Sequence, residues 1–309
     1  MAVREEQADE AVRINVASLV RLNRYAASIP LRGRRVMARQ GGNYLSPFRG
    51  RGMEFDESRL YLPGDDIRNI DWRVTARTGK VHTKLFREER ERPVFLWLDL
   101  RASMHFATRR CFKAVQASRL AALIAWSAVH HGDRVGAVLF SEEVHHELKP
   151  RRGRAGALQL INQLAAHPAW QDGNTAVPDN SAAGRALIRL RRVARPGSLI
   201  FLISDFRHLD ESAETQLLHL ARHNDVAMIH VYDILEEQLP PPGRYRLTDG
   251  EQEILLDTAD KERVQQYRQR FHHHLERLTR LARKGNIHLL ACTTEDDPLA
   301  VLKSGLGAE

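Results

Sequence analysis

The pattern of apolar and polar positions divides the chain into two parts of different character. From residue 93 onward, short apolar runs alternate with segments of helical periodicity. Residues 94–98 and 199–203 are apolar throughout, and an aspartate follows each run within two residues. Such runs predict strands buried on both faces of a parallel sheet. Strands that alternate with helices predict βαβ units, so we expect an α/β fold with a largely parallel sheet and helices on both faces over residues 93–309.

The individual elements follow from the same periodicity. Gly132 is expected to end a long helix, because glycine readily adopts the left-handed conformation that follows helix ends. A polar hairpin is predicted near residues 245–257. The predicted strands are 94–98, 135–140, 199–203, 226–232 and 287–292, and the predicted helices are 112–131, 155–166, 181–194, 210–223 and 259–284.

The first third of the chain has a different organisation. Residues 9–28 predict an amphipathic helix that ends before Pro30. Residues 31–56 are rich in glycine and arginine, and residues 67–92 have the pattern of short strands and turns. Residues 30–92 therefore predict a small β-rich module. The predicted domains are therefore an N-terminal helix (1–29), this module (30–92) and the α/β domain (93–309). The apolar residues at helical spacing in the first segment are Val12, Val16, Leu19 and Val20.

The composition and the distribution of apolar residues indicate where in the cell the protein is expected. The chain has no apolar stretch of the ~18 residues that a transmembrane helix needs. Its first residues are charged and lack the apolar centre of a secretion signal. The two cysteines, Cys111 and Cys292, are too few for a disulfide-stabilised secreted protein. We therefore expect a cytoplasmic protein without a membrane span.

Positive charge is concentrated near the start of the chain. The formal net charge is +8, and residues 11–53 contain nine arginines but no aspartate, glutamate or lysine. Such a stripe favours an anionic partner, which could be nucleic acid, lipid or an acidic protein face. Alternatively, it is a solvated arm whose charge is balanced by acidic residues elsewhere. The stripe consists of Arg13, Arg21, Arg24, Arg32, Arg34, Arg35, Arg39, Arg49 and Arg51.

Polar residues at two strand ends suggest a binding site. Asp99 and Asp205 follow the two fully apolar runs, Ser103 lies four residues after Asp99, and Thr175 lies in a loop before a predicted helix. Open parallel sheets bind ligands at the carboxyl ends of their strands. Carboxylates and hydroxyls are oxygen ligands suited to Mg²⁺. The alternative is that these residues cap helices or brace loops.

The segment Asp99-Leu100-Arg101-Ala102-Ser103-Met104 resembles the Asp-x-Ser-x-Ser signature of von Willebrand factor A domains. Thr175 and Asp205 lie where that family keeps its other metal-contacting residues. The resemblance implies one divalent cation whose open position takes a partner's carboxylate. Arg101 replaces the first serine, and a guanidinium there would repel a cation and could pair with Asp99 or Asp205. We therefore expect a degenerate site with no metal or weakly bound Mg²⁺, and Arg101 either replaces the ion or turns outward.

A block in the small module carries a second resemblance, which together with the strand-end motif runs from about residue 30 to 210. The block resembles the hallmark of domain-of-unknown-function family 58, in which it precedes a von Willebrand A-like domain. The resemblance implies a partner, an AAA+ ATPase of the MoxR class, and a client complex that the pair matures or activates. The signature residues are Arg59, Tyr61, Gly64, Asp65, Asp66, Arg68, Asp71, Trp72 and Arg77.

The block also has a physical interpretation. Pro63 and Gly64 predict a tight turn. Trp72 is expected to pack as an anchor with its N–H paired. Either a structural role or contact with a partner would explain these features. The charged residues expected to form an ion-pair network are Asp65, Asp66 and Asp71 with Arg68, Arg73 and Arg77.

These observations favour a non-enzymatic adaptor that docks partners at the degenerate site. The sequence has no Gly-x-x-x-x-Gly-Lys-Ser/Thr loop for ATP hydrolysis and no Gly-x-Ser-x-Gly nucleophile turn. One alternative is a nucleic-acid-binding protein that uses the arginine stripe, with affinity that falls as salt rises. A second is a metal-dependent hydrolase that uses Asp99 and Asp205, for which no general base is evident.

Overall fold

The computed structural model describes residues 10–31, 53–88, 92–171, 179–248 and 253–307. Within these ranges, the strands are β1 (Met53–Leu60), β2 (His82–Glu88), β3 (Pro93–Asp99), β4 (Arg134–Phe140), β5 (His145–Arg152), β6 (Leu199–Ser204), β7 (Asp225–Tyr232), β8 (Arg244–Thr248), β9 (Glu253–Asp257) and β10 (His288–Thr293). The α-helices are α1 (Val16–Arg21), α2 (Asn23–Ala26), α3 (Trp72–Thr78), α4 (Lys113–His130), α5 (Arg154–Ala165), α6 (Ala182–Val193), α7 (Glu211–His223), α8 (Ile234–Glu237), α9 (Lys261–Gly285) and α10 (Pro298–Gly307).

Six strands form the central sheet in the order β10-β7-β6-β3-β4-β5. Neighbouring strands are parallel except β5, which runs antiparallel to β4 at one edge. Every residue of β6 is buried, as its continuous apolar sequence predicts for a strand covered on both faces. The predicted α/β fold with a mostly parallel sheet is confirmed.

Helices cover both faces of this sheet. Successive side chains of a strand point to opposite faces, so each strand contributes apolar side chains to both helix layers. Leu96 and Leu98 of β3 belong to the core that includes α4, α5 and α10. Phe95 and Trp97 belong to the core formed with α6, α7 and α9. Alternating residues of one strand therefore contribute to two separate cores.

The N-terminal segment explains why α4 is apolar on nearly all sides. Fifteen of its eighteen residues are buried, because α1, α2 and α10 pack against it in addition to the sheet. Trp126 Nε1 donates a hydrogen bond to the Leu19 carbonyl at 3.1 Å, and Ser127 Oγ donates to the Ile29 carbonyl at 2.8 Å. The described part of this segment is thus a layer of the α/β unit.

The structure differs from the single helix predicted over residues 9–28. Helix α1 begins after Asn15, whose side chain accepts a hydrogen bond from the Ala17 amide, and α2 follows after Leu22. Only Leu19 of the four apolar residues expected on the buried face is fully buried, and Val12 and Val16 are exposed. The interruption of the helix changes the face that each residue presents.

Residues Gly33–Glu91 form a compact unit of their own, and Met1–Arg32 groups with Arg92–Glu309. In the smaller unit, β1 and β2 pair as a two-stranded antiparallel sheet. Helix α3 lies between them in the chain, where the sequence pattern predicts only strands and turns. Asp71 caps its start by accepting hydrogen bonds from two backbone amides, and Gly79, at φ +71°, ends it.

The structure contains one further predicted hairpin and two elements that the sequence pattern did not predict. The predicted polar hairpin is present as β8 and β9. Strand β5 and helix α10 were not predicted, since β5 is an edge strand of mostly exposed polar residues. None of the helices in the described ranges is both long enough and apolar enough to cross a membrane.

Candidate functional site

The carboxyl edge of β3 and β6 is the point where the strand order of the sheet reverses. From β3, the chain adds β4 and β5 on one side and then returns to add β6, β7 and β10 on the other. Loops leave in opposite directions at such a point, which creates the usual ligand-binding crevice of an open α/β sheet. Asp99 ends β3, and Asp205 follows β6 directly.

The carboxylate of Asp99 is fully engaged by donors of this chain. The Arg101 guanidinium donates through one terminal nitrogen to Asp99 Oδ2 at 2.6 Å and through Nε to Oδ1 at 2.9 Å. The Arg101 amide donates to Oδ1 at 3.0 Å, and Ser204 Oγ donates to Oδ2 at 2.6 Å. Both side chains of the ion pair are buried. Arg101 is therefore turned toward Asp99 and away from solvent.

A second buried ion pair holds Asp205. Lys113 Nζ, at the start of α4, donates to Asp205 Oδ2 at 3.0 Å and to Glu236 Oε1 at 2.7 Å. The Arg207 amide donates to Asp205 Oδ1 at 3.0 Å. The Arg207 guanidinium also lies 2.9 Å from Glu236 Oε1. The site thus includes Lys113 and Glu236, which the strand-end pattern did not identify.

Burial and charge act in opposite directions on these groups. Burial alone would lower the pKa of Arg101, but the adjacent Asp99 carboxylate outweighs it and the pKa is raised. Burial alone would raise the pKa of Asp205, but the charge of Lys113 and further donors lower it below the usual value. Both groups are consequently charged at neutral pH. Burial raises the pKa of Glu142, whose Oε1 accepts a hydrogen bond from the Ala102 amide at 2.9 Å.

The remaining predicted metal ligands are Ser103 and Thr175. The buried Ser103 Oγ has no hydrogen-bond partner among the described residues. Thr175 lies outside the described residues. The oxygens of Asp99 and Asp205 are each already held by a cation or an amide, so this donor set does not fit a divalent ion. Across the part of the chain that the structure describes, no group of three histidine, cysteine or acidic side chains could hold a metal.

The loop after β6, residues 205–209, has unusual backbone geometry. Phe206 and His208 have φ of +52° and +60°, a conformation that costs about 1–3 kcal/mol for residues other than glycine and persists where surrounding structure enforces it. The buried Phe206 ring stacks with Trp97 at a centroid distance of 6.4 Å. The Asp205 carbonyl accepts a hydrogen bond from His274 Nε2 at 2.9 Å. These contacts fix a loop that presents Arg207 and His208 to solvent.

In the signature block of the small module, the aspartates do not form the predicted ion-pair network. Asp65 pairs with Arg59 at 2.7 Å and accepts the Leu62 amide at 2.9 Å. A hydrogen bond from that amide and the contact with Arg59 lower the pKa of Asp65. Gly64, at φ +107°, supplies the predicted turn.

Asp66 and Asp71 serve as caps. Asp66 accepts the Arg68 amide at 2.9 Å, and Asp71 accepts Ser58 Oγ at 2.8 Å and the first amides of α3. The predicted network with Arg68, Arg73 and Arg77 is wrong, because these aspartates bond elsewhere and the three arginines are exposed. The predicted packing of Trp72 is also wrong, since its residue surface is 70% exposed. Tyr61 is half-buried, and its amide donates to the Val81 carbonyl at 2.8 Å.

Only the first three arginines of the N-terminal stripe lie within the described residues. Arg21 is 3.9 Å from Glu10, and the Arg24 guanidinium lies 4.5 Å from the centre of the Tyr25 ring. Arg13 also has an interaction partner. Nucleic-acid binding by the stripe stays a prediction. The six arginines outside the described residues are Arg32, Arg34, Arg35, Arg39, Arg49 and Arg51.

Residues 57–280 match a family model described as protein of unknown function DUF58. The chain belongs to the DUF58 family. This DUF58 protein is 33% identical over 219 residues to uncharacterized proteins of Mycobacterium bovis and Mycobacterium tuberculosis. Each match covers 70% of this chain and 66% of the relative, so it spans slightly less than two thirds of the relatives' length.

Two solved structures are distantly similar to this DUF58 protein. One is the conserved hypothetical protein BatB from Bacteroides thetaiotaomicron, at TM-score 0.42 and 16% identity over 70% of this chain and 97% of that one. The other is an aerotolerance-related membrane protein from Bacteroides fragilis, at TM-score 0.41 and 17% identity over 69% of this chain and 96% of that one. Both similarities are too distant to transfer a function.

Proposed function

We propose that this DUF58 protein is a non-enzymatic adaptor that docks a partner at the carboxyl edge of its central sheet. The observation that supports this most is the double hydrogen bond from Arg101 to Asp99. A general base or a metal ligand needs a carboxylate oxygen that is free to take a proton or an ion. Here the carboxylate instead fixes an arginine, which makes this edge a rigid polar surface.

The loop of residues 205–209 is the part of this edge that we assign to partner contact. The Arg207 side chain is 47% exposed, and it shares Glu236 with the buried Lys113. Because a guanidinium has five N–H donors, Arg207 can pair with Glu236 and still receive a carboxylate from a partner. Docking in this way needs no metal ion.

The partner that we propose is an AAA+ ATPase of the MoxR class, which acts with this protein on a client complex. This assignment rests on membership of the DUF58 family and on the resemblance of the strand-end motif to von Willebrand A domains, whose corresponding site receives a partner's carboxylate. The hydrolase alternative gains no support, because Asp99 and Asp205 are both committed to buried cations.

Calorimetry with the purified MoxR-type ATPase of the same host tests the proposal. Wild-type protein should bind with EDTA present, and Arg207→Gln should weaken Kd by about tenfold, equivalent to ~1.4 kcal/mol. Glu236 keeps its bond to Lys113 in this variant, so the fold should be retained. Arg192→Gln is the matched control, because this exposed arginine lies near the end of α6 and away from the site. Absence of wild-type binding, or equal Kd for the two variants, would contradict the proposal.

A further inference from the structure

Exposed apolar side chains are unevenly distributed in this protein. Ten large apolar side chains are exposed among the described residues, and five of them fall between residues 60 and 81 of the small module. Ile67, at 69%, and Trp72, at 70%, are the most exposed of the ten. Isolated exposed apolar residues are normal, whereas a group of them marks an interaction surface.

Cationic side chains accompany this apolar group. Arg68 follows Ile67 and Arg73 follows Trp72 in the chain. Arg73 and Arg77 are four residues apart on α3, which places these two arginines on one face of the helix. All three arginines are exposed. Among residues 67–77, the sole acidic residue is Asp71, which is buried and caps α3. We name Ile67, Arg68, Trp72, Arg73 and Arg77 the docking strip.

We propose that the docking strip binds an acidic protein surface. Trp72 and Ile67 enter an apolar pocket of the partner, and the three arginines pair with carboxylates around that pocket. Tryptophan and arginine are the residues that most often dominate the binding energy of protein interfaces. The planar arginine fork also matches the geometry of a carboxylate. This surface belongs to the small module and does not rest on the function proposed for the sheet edge.

Three other kinds of ligand fit the docking strip less well. A symmetric contact between two copies would bring the same arginines together and would be opposed by repulsion. A lipid bilayer is bound through a larger apolar helix face than the seven residues of α3 provide. Single-stranded nucleic acid could stack on Trp72 and pair its phosphates with the arginines, but it would leave Ile67 without a role. An acidic protein surface uses all five side chains.

Photo-crosslinking followed by binding measurements tests this inference. The full-length protein, with p-benzoylphenylalanine in place of the exposed Ala76, is crosslinked in the native host, and the captured protein is identified and purified. Calorimetry then measures its Kd for the wild type, for Trp72→Ala and Arg77→Gln in the docking strip, for Arg207→Gln at the sheet edge, and for the control Arg192→Gln. We expect Kd to rise about tenfold or more for the first two variants and by less than about twofold for the control. The wild-type affinity should fall as salt is raised.

Several results would overturn the inference. Crosslinks confined to second copies of the chain would assign the strip to self-association. Equal affinity of the captured protein for wild type and Trp72→Ala would exclude the strip as its site. Loss of that affinity in Arg207→Gln alone would assign the captured protein to the sheet edge. Binding of a single-stranded oligothymidylate or of phosphatidylglycerol vesicles that Trp72→Ala abolishes would replace the protein partner with nucleic acid or lipid.

Discussion

The carboxyl edge of the central sheet and the docking strip use the same residue types in opposite ways. At the sheet edge, Asp99 and Asp205 are buried and bound to the side chains of Arg101 and Lys113. Beside the docking strip, Asp71 accepts hydrogen bonds from backbone amides at the start of α3, and the arginines of the strip are exposed to solvent. The buried carboxylates of the sheet edge are stabilised by paired charges, whereas the buried carboxylate of Asp71 is stabilised by hydrogen bonds from two backbone amides and from Ser58 Oγ.

This difference separates positions that fix geometry from positions that are available to a partner. A buried ion pair helps to fix one conformation of the chain. Loss of one of its two members leaves an isolated buried charge. An exposed arginine contributes little to stability but keeps its donors for a ligand. Changes to the buried ion pairs of the sheet edge should therefore reduce stability first, and changes to the exposed arginines should reduce binding alone.

Lys113→Met should have the largest effect. Lys113 is fully buried and contacts both Asp205 and Glu236, so its removal leaves two carboxylates short of a buried cation. We expect the free energy of unfolding in urea to fall by about 3–5 kcal/mol. Lys303→Met, at an exposed position of α10, is the control and should change it by less than about 0.5 kcal/mol. A small loss for Lys113→Met would mean that the sheet edge tolerates unpaired charge.

Arg101→Ser should have the next largest effect, and the effect should depend on metal. Without Mg²⁺, the buried Asp99 loses its cation, and we expect a loss of roughly 2–4 kcal/mol. The variant restores the serine of the resembled signature, so added Mg²⁺ should bind the folded state and raise the melting temperature. The wild type should show no such rise.

The control for this comparison is the double variant Asp99→Ala, Arg101→Ser, which lacks both the arginine and the carboxylate. Its melting temperature should not respond to Mg²⁺. If the wild type itself binds Mg²⁺ tightly in calorimetry, and Asp99→Ala abolishes that binding, the expectation of a degenerate site is wrong. Metal-bridged capture of a partner carboxylate would then become the leading mechanism.

The sequence was sufficient to predict five of the six strands of the central sheet and the position of Asp99 and Asp205 at the ends of two of them. Continuous apolar runs identify strands that are buried on both faces, and β3 and β6 agree with the prediction within a residue or two. Asp99 and Asp205 follow from those strand ends. The sequence analysis gives Asp99 and Asp205 as the two candidate partners of Arg101. The structure pairs Arg101 with Asp99, which lies two residues before it in the chain.

Other parts of the site depend on contacts that a linear pattern does not contain. Lys113 meets Glu236 across 123 residues of sequence, and the available signal was a lysine at the first turn of a helix that is otherwise buried on most sides. Trp72 was expected to be buried because tryptophan usually is. Its exposure depends on α3, which Asp71 starts and Gly79 ends within a segment read as strands and turns.

Trp72→Ala should have the smallest effect on stability, and it tests the comparison most directly. Its side chain is largely in solvent, so the free energy of unfolding in urea should change by less than about 0.5 kcal/mol. Trp126→Ala provides the contrast, because that side chain is buried and donates to the Leu19 carbonyl; its loss should cost about 3–5 kcal/mol. A loss above about 2 kcal/mol for Trp72→Ala would identify it as a packing residue, and weaker partner binding by that variant would then reflect a damaged module. Unchanged stability together with weaker binding for Trp72→Ala would show that the two tryptophans have different roles. Trp72 of α3 would then contact a partner, and Trp126 of α4 would stabilise the fold.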